Sequence, residues 1–513
     1  MASTRRSFLK RAGAAFAAAP AIVRADRPEI RYGVMSGDVI PDAAMIWSRA
    51  DRPSRMLVSS RTSERGEERR IRGPHCLEVS DFTGRVELTD LPPGQTILYE
   101  VQFEDLTNSR AVSAPIRGQF RTPPAGPRDV KFLWTGDLVG QGWGINPERG
   151  GLPIFETMLK TDPDLFIHSG DVIYADNPLS AEVKLKDGTI WRNIVAEGKH
   201  KVAEALDEFR GAYRYNLLDE HCRRFVSSVA QVWQWDDHEV MNNWSPARSV
   251  MDDPRYTEKN YPLLVARATR AFQDYAPLRP SAHEAERVYR KISYGPLLDV
   301  FVLDMRSYRG PNTYNRQEQE SDETRYLGTE QLAWLERDLK ASRATWKAIA
   351  SDMPIGLIVG DGNDAQGRPR YEAVANGNGT ALGRELEIAR LLRSIKRNNV
   401  HNVVWFTADV HYTAAHRYSP EKARFTDFLP FWEFVSGPMH AGTFGPNATD
   451  DTFGIEVVFQ KAPPKGEANL PPSAGYQFFG EVRIDARTQA MTVILRDLVG
   501  AALHTQVLPP ARG

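Results

Sequence analysis

Hydrophobic and polar positions divide the chain into two differently patterned parts. From residue 27 to about residue 124, short alternating runs such as AMIWSRA and ILYEVQFED are separated by clusters of Gly, Pro, Asp and Asn. Alternation with a period of two predicts β-strands, and the clusters predict the turns between them. The Pro-rich segment FRTPPAGPRD then indicates a boundary near residues 123–127. The pattern therefore predicts an all-β domain over residues 26–126.

The second part, residues 127–513, alternates apolar strands with helical patterns. DVKFLWTGD, GLPIFETMLKTD and PDLFIHSGD predict a strand, a helix and a strand. AEALDEFRGAYRYNLLDEHCRRFVSSV, LGTEQLAWLERDLKAS and RELEIARLLRSIKRNN carry apolar residues at three-to-four spacing, which predicts helices, each leading into a strand. The β-α-β order predicts an α/β domain. The Asn- and Gly-rich residues 360–380 predict a long loop close to the site.

The first residues have the pattern of an export signal. STRRSFLKRAGAAFAAAPAIVRA combines a basic start, a short apolar segment over residues 12–23 and a small residue, Ala25. This segment is too short to span a bilayer. The pair Arg5-Arg6 resembles a twin-arginine signal, so residues 1–25 are expected to direct the chain to the twin-arginine export machinery and to a periplasmic or secreted location. A plain basic N-terminal arm is the alternative. No later segment is apolar for long enough to predict a membrane span.

Charge and cysteine content exclude several classes of protein. The 513-residue chain has 65 basic and 66 acidic residues and a net charge of −1. With no general basic field, nothing predicts nucleic-acid binding. Cys76 and Cys222 are too few for a disulfide framework or a cysteine-based zinc site, and both are predicted to be buried.

Acidic residues and histidines end one apolar run after another in the second part. The clusters contain Asp137, Asp171 with Tyr174, Asp236 with Asp237, His238 and Glu239, Asp304 with Arg306, Asp352, and Asp409 with His411. Because the carboxyl ends of strands in an open α/β sheet meet at one crevice, these side chains are expected to lie close together. Gathered carboxylates repel one another and are costly to bury unpaired, so a bound cation is expected. Oxygen donors predominate over thiols, which favours hard metal ions.

Each cluster alone has an ordinary structural explanation. Asp171 after a glycine is typical of a turn, Tyr174 of a core residue, and Asp304 with Arg306 of an ion pair. The recurrence of acidic residues and histidines at several strand ends indicates a shared metal site.

The sequence blocks around these residues resemble one enzyme family. GDVIY, WDDHEVMNNW, LDMRSYRG and ADVH, with Asp137 ahead of them, are similar to the PhoD-like alkaline phosphatases. These enzymes are relatives of the purple acid phosphatases among the calcineurin-like metallophosphoesterases. GVMSGDVIPDAAMIWSRA is similar to the start of that family's N-terminal β-domain. The resemblance implies a four-layer α/β/β/α sandwich over residues 127–513, preceded by a fibronectin-III- or Ig-like β-sandwich over residues 26–126.

The resemblance also implies a role for each residue of the clusters. Asp171 would bridge two metal ions, and His238 would lie beside the leaving-group oxygen as an acid or a stabiliser of its charge. The implied metal ligands are Asp137, Asp171, Tyr174, Asp237, Asp352, Asp409 and His411, and the further candidates for contacting phosphate oxygens are Asn242, Asn243 and Arg306. The implied metals are Fe³⁺, which suits a tyrosine phenolate, and Ca²⁺, which suits carboxylates. Many family members carry a Cys after the first catalytic strand, whereas TGDLVGQGWG has none, and this leaves the first ligand and the metal identity open.

The implied function is that of a secreted metal-dependent phosphoesterase of the alkaline phosphatase D type. A metal-bridging hydroxide would attack phosphorus, and small phosphate esters or phosphodiesters would be the substrates. A phosphodiesterase or phospholipase-D-like activity stays open as an alternative, as does a non-catalytic calcium-binding adhesion protein. A redox enzyme exported with its cofactor is a further alternative, but no Gly-rich dinucleotide fingerprint or Cys cluster supports it.

Overall fold

The computed structural model describes residues 27–62, 67–377 and 379–511. The predicted export signal, residues 1–25, lies outside the described residues. The strands are β1 (Val34–Ile40), β2 (Ala43–Arg49), β3 (Ser54–Thr62), β4 (Arg69–Cys76), β5 (Thr83–Leu88), β6 (Thr96–Asp105), β7 (Ile116–Arg121), β8 (Val130–Thr135), β9 (Leu165–Ser169), β10 (Glu182–Lys184), β11 (Ile190–Arg192), β12 (Ala230–Gln234), β13 (Arg290–Ser293), β14 (Leu298–Val302), β15 (Trp346–Ala350), β16 (Gly360–Asn363), β17 (Pro369–Tyr371), β18 (Val403–Thr407), β19 (Thr413–Tyr418), β20 (Phe431–Val435), β21 (Ile455–Lys461), β22 (Phe478–Ile484), β23 (Met491–Asp497) and β24 (Ala502–Leu508). The α-helices are α1 (Ile154–Lys160), α2 (Leu206–Asn216), α3 (Glu220–Ser228), α4 (Tyr261–Tyr275), α5 (Thr329–Ala341) and α6 (Glu385–Arg397).

Two large sheets form the centre of the described structure. One has the order β24-β23-β22-β8-β9-β12-β1-β2-β5, and the other has the order β13-β14-β15-β18-β20-β19-β21. In the first sheet β8, β9 and β12 are parallel neighbours. In the second, β14, β15, β18 and β20 are parallel neighbours. The carboxyl ends of these parallel strands carry the residues that the sequence predicts for the site.

Alternate residues of the parallel strands face different layers. Between the sheets, the ring of Phe406 lies 5.3 Å from the ring of Phe132 and 4.8 Å from that of Trp134. On the outer face of the first sheet, Phe166 packs against α1 and α3 through Phe155 and Phe225. The outer face of the second sheet belongs to the cluster that contains apolar residues of α5 and α6. Strands buried on both faces explain the continuous apolar runs, and the α/β/β/α order predicted above is confirmed.

The all-β part is joined to the first sheet by backbone pairing. Its strands β1, β2 and β5 continue that sheet, with Gly37 of β1 paired in parallel to Gln231 of β12. Beside this pairing, Asp38 Oδ1 lies 2.7 Å from Arg290 Nη2 in an almost buried ion pair. A four-stranded sheet, β4-β3-β6-β7, packs against β1 and β2 and shares one apolar core with them.

Several local features differ from the predicted elements. The helical pattern before β12 forms two helices, because Asp219 ends the first segment and caps α3 by accepting a hydrogen bond from Cys222 N at 2.9 Å. The predicted long loop over residues 360–380 contains the hairpin β16–β17. Helix α4 was not among the predicted elements. The free thiols of Cys76 and Cys222 are buried, as predicted. In the described part of the chain, no helix is both long and apolar enough to cross a membrane.

Candidate metal centre

The candidate site lies where four parallel strands end. Asp137 follows β8, Asp171 follows β9, Asp237 follows β12, and Asp409 and His411 follow β18. Asp137, Asp171, Asp409 and His411 have backbone φ angles of 64°, 50°, 64° and 61°. This left-handed region is unfavourable for residues other than glycine, and such strain collects at functional sites. Tight turns therefore follow β8, β9 and β18, and their side chains lie beside Asp237.

One group of ligand atoms joins Asp137, Asp171 and His411. One ligand atom from each lies within 4.8 Å of the others. The phenol oxygen of Tyr174 lies 2.9 Å from His411 Nε2, and that nitrogen lies 3.8 Å from Asp137 Oδ1. The other ring nitrogen of His411 contacts the carbonyl oxygen of Gly442. Burial lowers the pKa of His411 to about 4, so its imidazole is neutral at pH 7, as a metal ligand requires.

Two further groups of ligand atoms continue from the first. Asp171, Asp237 and His238 form one, and Asp236, Asp237 and Asp409 form the other, again within 4.8 Å. Asp171 therefore belongs to two groups, as does Asp237. The three groups make a continuous row of potential ligands.

The buried negative charge of these carboxylates favours the binding of a cation. Burial, and then the charges of neighbouring carboxylates, raise the pKa of Asp137 and Asp171 well above the ordinary value. Oδ1 of Asp237 is buried and has no hydrogen-bond partner among the described residues. Buried carboxylates without partners are costly unless a cation binds them. Oxygen and imidazole donors with an unpartnered oxygen therefore fit hard or intermediate metal ions.

Arg306 is the internal cation of the cluster. It is completely buried, and its Nε lies 2.5 Å from Asp236 Oδ1 and 3.2 Å from Asp352 Oδ2. Its Nη1 donates to Glu372. Asp352 lies outside the three ligand groups. The structure therefore brings Asp137, Asp171, Tyr174, Asp237, Asp409 and His411 together, whereas Asp352 contacts the guanidinium of Arg306.

His238 is held by a carboxylate that sequence reasoning did not select. Its Nδ1 lies 2.6 Å from Asp176 Oδ1, and its backbone N–H donates to Asp171 Oδ1 at 3.1 Å. Burial alone would lower the pKa of His238, but Asp176 and Asp237 raise it to about 9. The imidazole is therefore positively charged at neutral pH. The signal for Asp176 was its position two residues after Tyr174 in IYAD.

Two other supporting residues received no role from the sequence, because one acts on backbone atoms and the other comes from a distant loop. Glu239 accepts hydrogen bonds from the backbone N–H groups of Val172 at 2.6 Å and Asp236 at 2.7 Å. It thereby ties the turn that carries Asp171 to the turn that carries Asp237. Glu372, which contacts Arg306, follows the hairpin β16–β17 in a segment with no strand or helix periodicity.

A cavity of about 410 Å³ opens over the row of ligands. Its walls combine amide side chains with apolar ones, and its lining residues are Gln141, Asp171, Asn177, Asp237, His238, Asn242, Asn243, Val359, Glu372, Asp409, Val410, His411, Phe444, Gly445, Pro446 and Asn447. The Nδ2 atom of Asn242 donates to Asn243, whose own Nδ2 donates to Asp361 Oδ1 at 2.9 Å. The predicted residues Asn242 and Asn243 thus line the cavity, and Arg306 does not.

Gly437 packs against Asp137, which gives a test of the metal centre. A Cβ at this position would lie 2.1 Å from Asp137 Oδ2. We expect Gly437→Ala to displace the Asp137 carboxylate and to weaken metal affinity by at least about tenfold. The metal content of the purified protein should fall as a result. Elemental analysis and metal titration measure the change. Gly126→Ala is the matched control, because its Cβ would meet nothing within 4 Å. Unchanged metal binding in Gly437→Ala would contradict the assignment of Asp137 as a ligand.

Comparison with known proteins agrees with this fold. The PhoD-like phosphatase profile matches residues 132–495, and the profile of that family's N-terminal domain matches residues 16–124. Alkaline phosphatase D of Bacillus subtilis (strain 168) is 26% identical over 442 residues, which cover 82% of this chain and 71% of the relative.

Two solved structures have a similar fold. The structure of PhoD superposes with a TM-score of 0.67 at 21% identity and covers 94% of this chain and 90% of its own. The purple acid phosphatase PPD1 of yellow lupin (Lupinus luteus) superposes with a TM-score of 0.54 at 12% identity and covers 94% and 74%.

The family profiles define the chain as a phosphatase, and its four-layer sandwich carries candidate metal-ligand groups at the strand ends. Within that class the match covers most of the chain and both of its parts. The chain belongs to the PhoD-like phosphatase family, and it is a hydrolase of phosphoric ester bonds.

Proposed function

We propose that the chain is a secreted metal-dependent phosphoesterase of the alkaline phosphatase D type. One observation carries the proposal: Asp171 and Asp237 each belong to two adjacent groups of ligand atoms, and both residues line one cavity. A carboxylate in that position can serve two cations at once. Two cations about 3.5–4 Å apart are the arrangement that in-line displacement at phosphorus uses.

The donor atoms divide the proposed metal sites by chemistry. Asp137, Asp171, Tyr174 and His411 would hold Fe³⁺, since a phenol oxygen and a neutral imidazole meet there. Asp171 with the carboxylates of Asp237 and Asp409 would hold Ca²⁺, which prefers oxygen ligands. When bound, such a metal pair supplies a hydroxide nucleophile by lowering the pKa of a water and neutralises negative charge on phosphate oxygens.

The residues of the cavity wall would bind and orient the ester. The imidazolium of His238 would donate its Nε2 proton toward the leaving oxygen, because Nδ1 is already held by Asp176. The side-chain amides of Asn242 and Asn243 would donate to phosphate oxygens at the opening. Asp176 would keep the imidazole at one orientation throughout turnover.

Phosphodiesters are the second substrate class that the cavity favours. The described lining contains neither Lys nor Arg, and Val359, Val410, Phe444 and Pro446 form an apolar wall. A monoester dianion would therefore rely on the metals and on the His238 imidazolium for its second charge. The second ester arm of a diester would instead pack on the apolar wall.

The first experiment separates these substrates and tests for iron. Purified protein is assayed with nitrophenyl phosphate and with its bis-ester, and its metals are measured by elemental analysis. We expect turnover of at least one ester and a visible tyrosinate-to-iron absorption band that Tyr174→Phe abolishes without unfolding the chain. Metal-dependent stability with no turnover of either ester would favour the adhesion-protein alternative. A band that survives in Tyr174→Phe would contradict the iron ligand.

Removal of the Asp176 carboxylate tests the role of His238. We expect Asp176→Asn to lower kcat by about 10- to 100-fold, because the imidazole loses its charged partner and its fixed orientation. Metal content is expected to be unchanged, since Asp176 belongs to none of the three ligand groups. Steady-state kinetics and elemental analysis are measured on the same samples, with Asp187→Asn on the exposed turn between β10 and β11 as control. A fall in metal content equal to the fall in kcat would contradict the role of Asp176 in positioning His238.

Export is tested with the N-terminal pair. We propose that Arg5 and Arg6 direct the chain through the twin-arginine machinery. Replacement of both by lysine should retain the protein inside the cell, which fractionation and immunoblotting measure. Normal export of the double variant would contradict the assignment.

A further inference from the structure

The guanidinium of Arg306 sits among five carboxylates directly behind the cavity floor. These carboxylates belong to Asp236, Asp237, Asp352, Glu372 and Asp409. We propose that Arg306 is a positioning residue that acts as a permanent counter-ion and aims Asp237 and Asp409 at the Ca²⁺-type site. The inference rests on the proposed function for the identity of that site.

Arg306 is anchored through its backbone and through two of its guanidinium nitrogens. Its backbone N–H donates to Asp304 Oδ1 at 3.0 Å, and the Asp304 backbone N–H donates to Gln331 Oε1 at 2.8 Å. Its Nε lies 2.5 Å from Asp236 and 3.2 Å from Asp352, and its Nη1 contacts Glu372. The guanidinium is therefore held on two sides by protein carboxylates.

The remaining guanidinium nitrogen, Nη2, points toward Asp409 and Asp237. Nη2 is buried and has no hydrogen-bond partner among the described residues. It lies 3.5 Å from Asp409 Oδ1 and 4.0 Å from Asp237 Oδ1. Its charge thus attracts two residues that share a ligand group, at distances that leave their oxygens free to bind a cation. Asp236, the third member of that group, is already engaged by Nε.

Arg306 is not placed to contact the substrate directly. Arg306 has no exposed surface and is absent from the cavity wall, whereas Asp237 and Asp409 line it. A phosphate oxygen would have to displace those carboxylates to reach the guanidinium. Arg306 therefore acts through the ligands. Lysine cannot replace it, because only the planar fork of arginine reaches carboxylates in three directions.

The test measures Ca²⁺ binding directly. Chelator-stripped wild type, Arg306→Lys and Arg306→Gln are titrated with Ca²⁺ by calorimetry, and kcat and KM are measured at saturating metal. We expect both variants to bind Ca²⁺ about 10- to 100-fold more weakly, with KM at saturating Ca²⁺ and inhibition by inorganic phosphate changed less than threefold. Wild-type Ca²⁺ affinity together with a tenfold rise in KM and in the phosphate inhibition constant would overturn the proposal.

Arg210→Lys is the matched control. Arg210 forms a buried ion pair with Asp274 at 2.6 Å, with each side chain 7% exposed, and neither residue lines the cavity. This variant should lose stability without losing Ca²⁺ affinity. Equal losses of affinity in Arg210→Lys and Arg306→Lys would overturn the positioning role.

A second variant decides the matter if neither Arg306 variant folds. Glu372→Gln keeps the shape of the side chain but weakens its contact with Nη1, so it should lower Ca²⁺ affinity by several-fold. Unchanged affinity in Glu372→Gln would then count against the proposal. Because the readout is Ca²⁺ binding, a wild type that binds Ca²⁺ but hydrolyses no ester refutes the proposed function and leaves the inference testable.

Discussion

Asp171→Asn is expected to abolish activity and to release metal from both proposed sites. Asp171 belongs to two of the three ligand groups, so loss of its carboxylate is expected to weaken the binding of two cations at once. Metal ions stabilise transition-state charge by several kcal/mol, and about 4 kcal/mol corresponds to about 1000-fold in rate. We therefore expect kcat/KM to fall by at least about 1000-fold, with both metals lost in elemental analysis.

The control for this prediction is Asp252→Asn, which changes an exposed aspartate outside the cavity lining. That variant should keep full activity and metal content. Circular dichroism checks that Asp171→Asn folds. A folded Asp171→Asn protein with more than a tenth of wild-type activity would mean that Asp171 is not the shared ligand.

Chelation is expected to destabilise the protein more at pH 8 than at pH 5. Burial and neighbouring carboxylates raise the pKa of Asp137, Asp171 and Asp409 in the folded chain well above the unfolded value of 3.8. As pH rises above 3.8, the unfolded chain releases these protons while the metal-free folded chain must keep them or bury their charges. The free energy of unfolding of the metal-free protein therefore falls with rising pH.

Bound cations remove this penalty, because they stabilise the ionised carboxylates. A metal at 1000 times its Kd contributes about 4 kcal/mol, and 1 kcal/mol shifts the Tm of a large domain by about 2–4 °C. We expect the difference in Tm between loaded and chelated protein to reach roughly 10 °C at pH 8 and to shrink toward pH 5. Calorimetry measures both forms. Asp137→Asn should flatten the pH dependence of the chelated form, and a difference in Tm that is the same at both pH values would contradict the account.

Much of the fold and the centre of the site could be predicted from local sequence. Asp171 and Asp409 each follow a continuous apolar run, and such runs form parallel strands whose carboxyl ends meet. The proximity of these two side chains therefore follows from the fold class alone. Tyr174 and His411 could be predicted for the same reason, since they lie three residues after Asp171 and two residues after Asp409.

The remaining features depend on contacts between distant segments. Asp176 meets His238 across 62 residues, and Glu372 meets Arg306 across 66 residues. No local pattern distinguishes such a carboxylate from one on the surface. Arg306 could be predicted at the site, but its engagement by carboxylates depends on loops after β12, β15, β17 and β18 folding around it.

The parallel pairing of Gly37 with Gln231 makes the all-β part a cover for an otherwise open sheet edge. A fragment containing only residues 127–513 would expose the unpaired backbone edge of β12. Exposed strand edges of this kind promote self-association. Such a fragment would also uncover the apolar core that β1 and β2 share with the four-stranded sheet. We therefore expect the two parts to fold together as one unit, joined by a shared sheet and a shared apolar core.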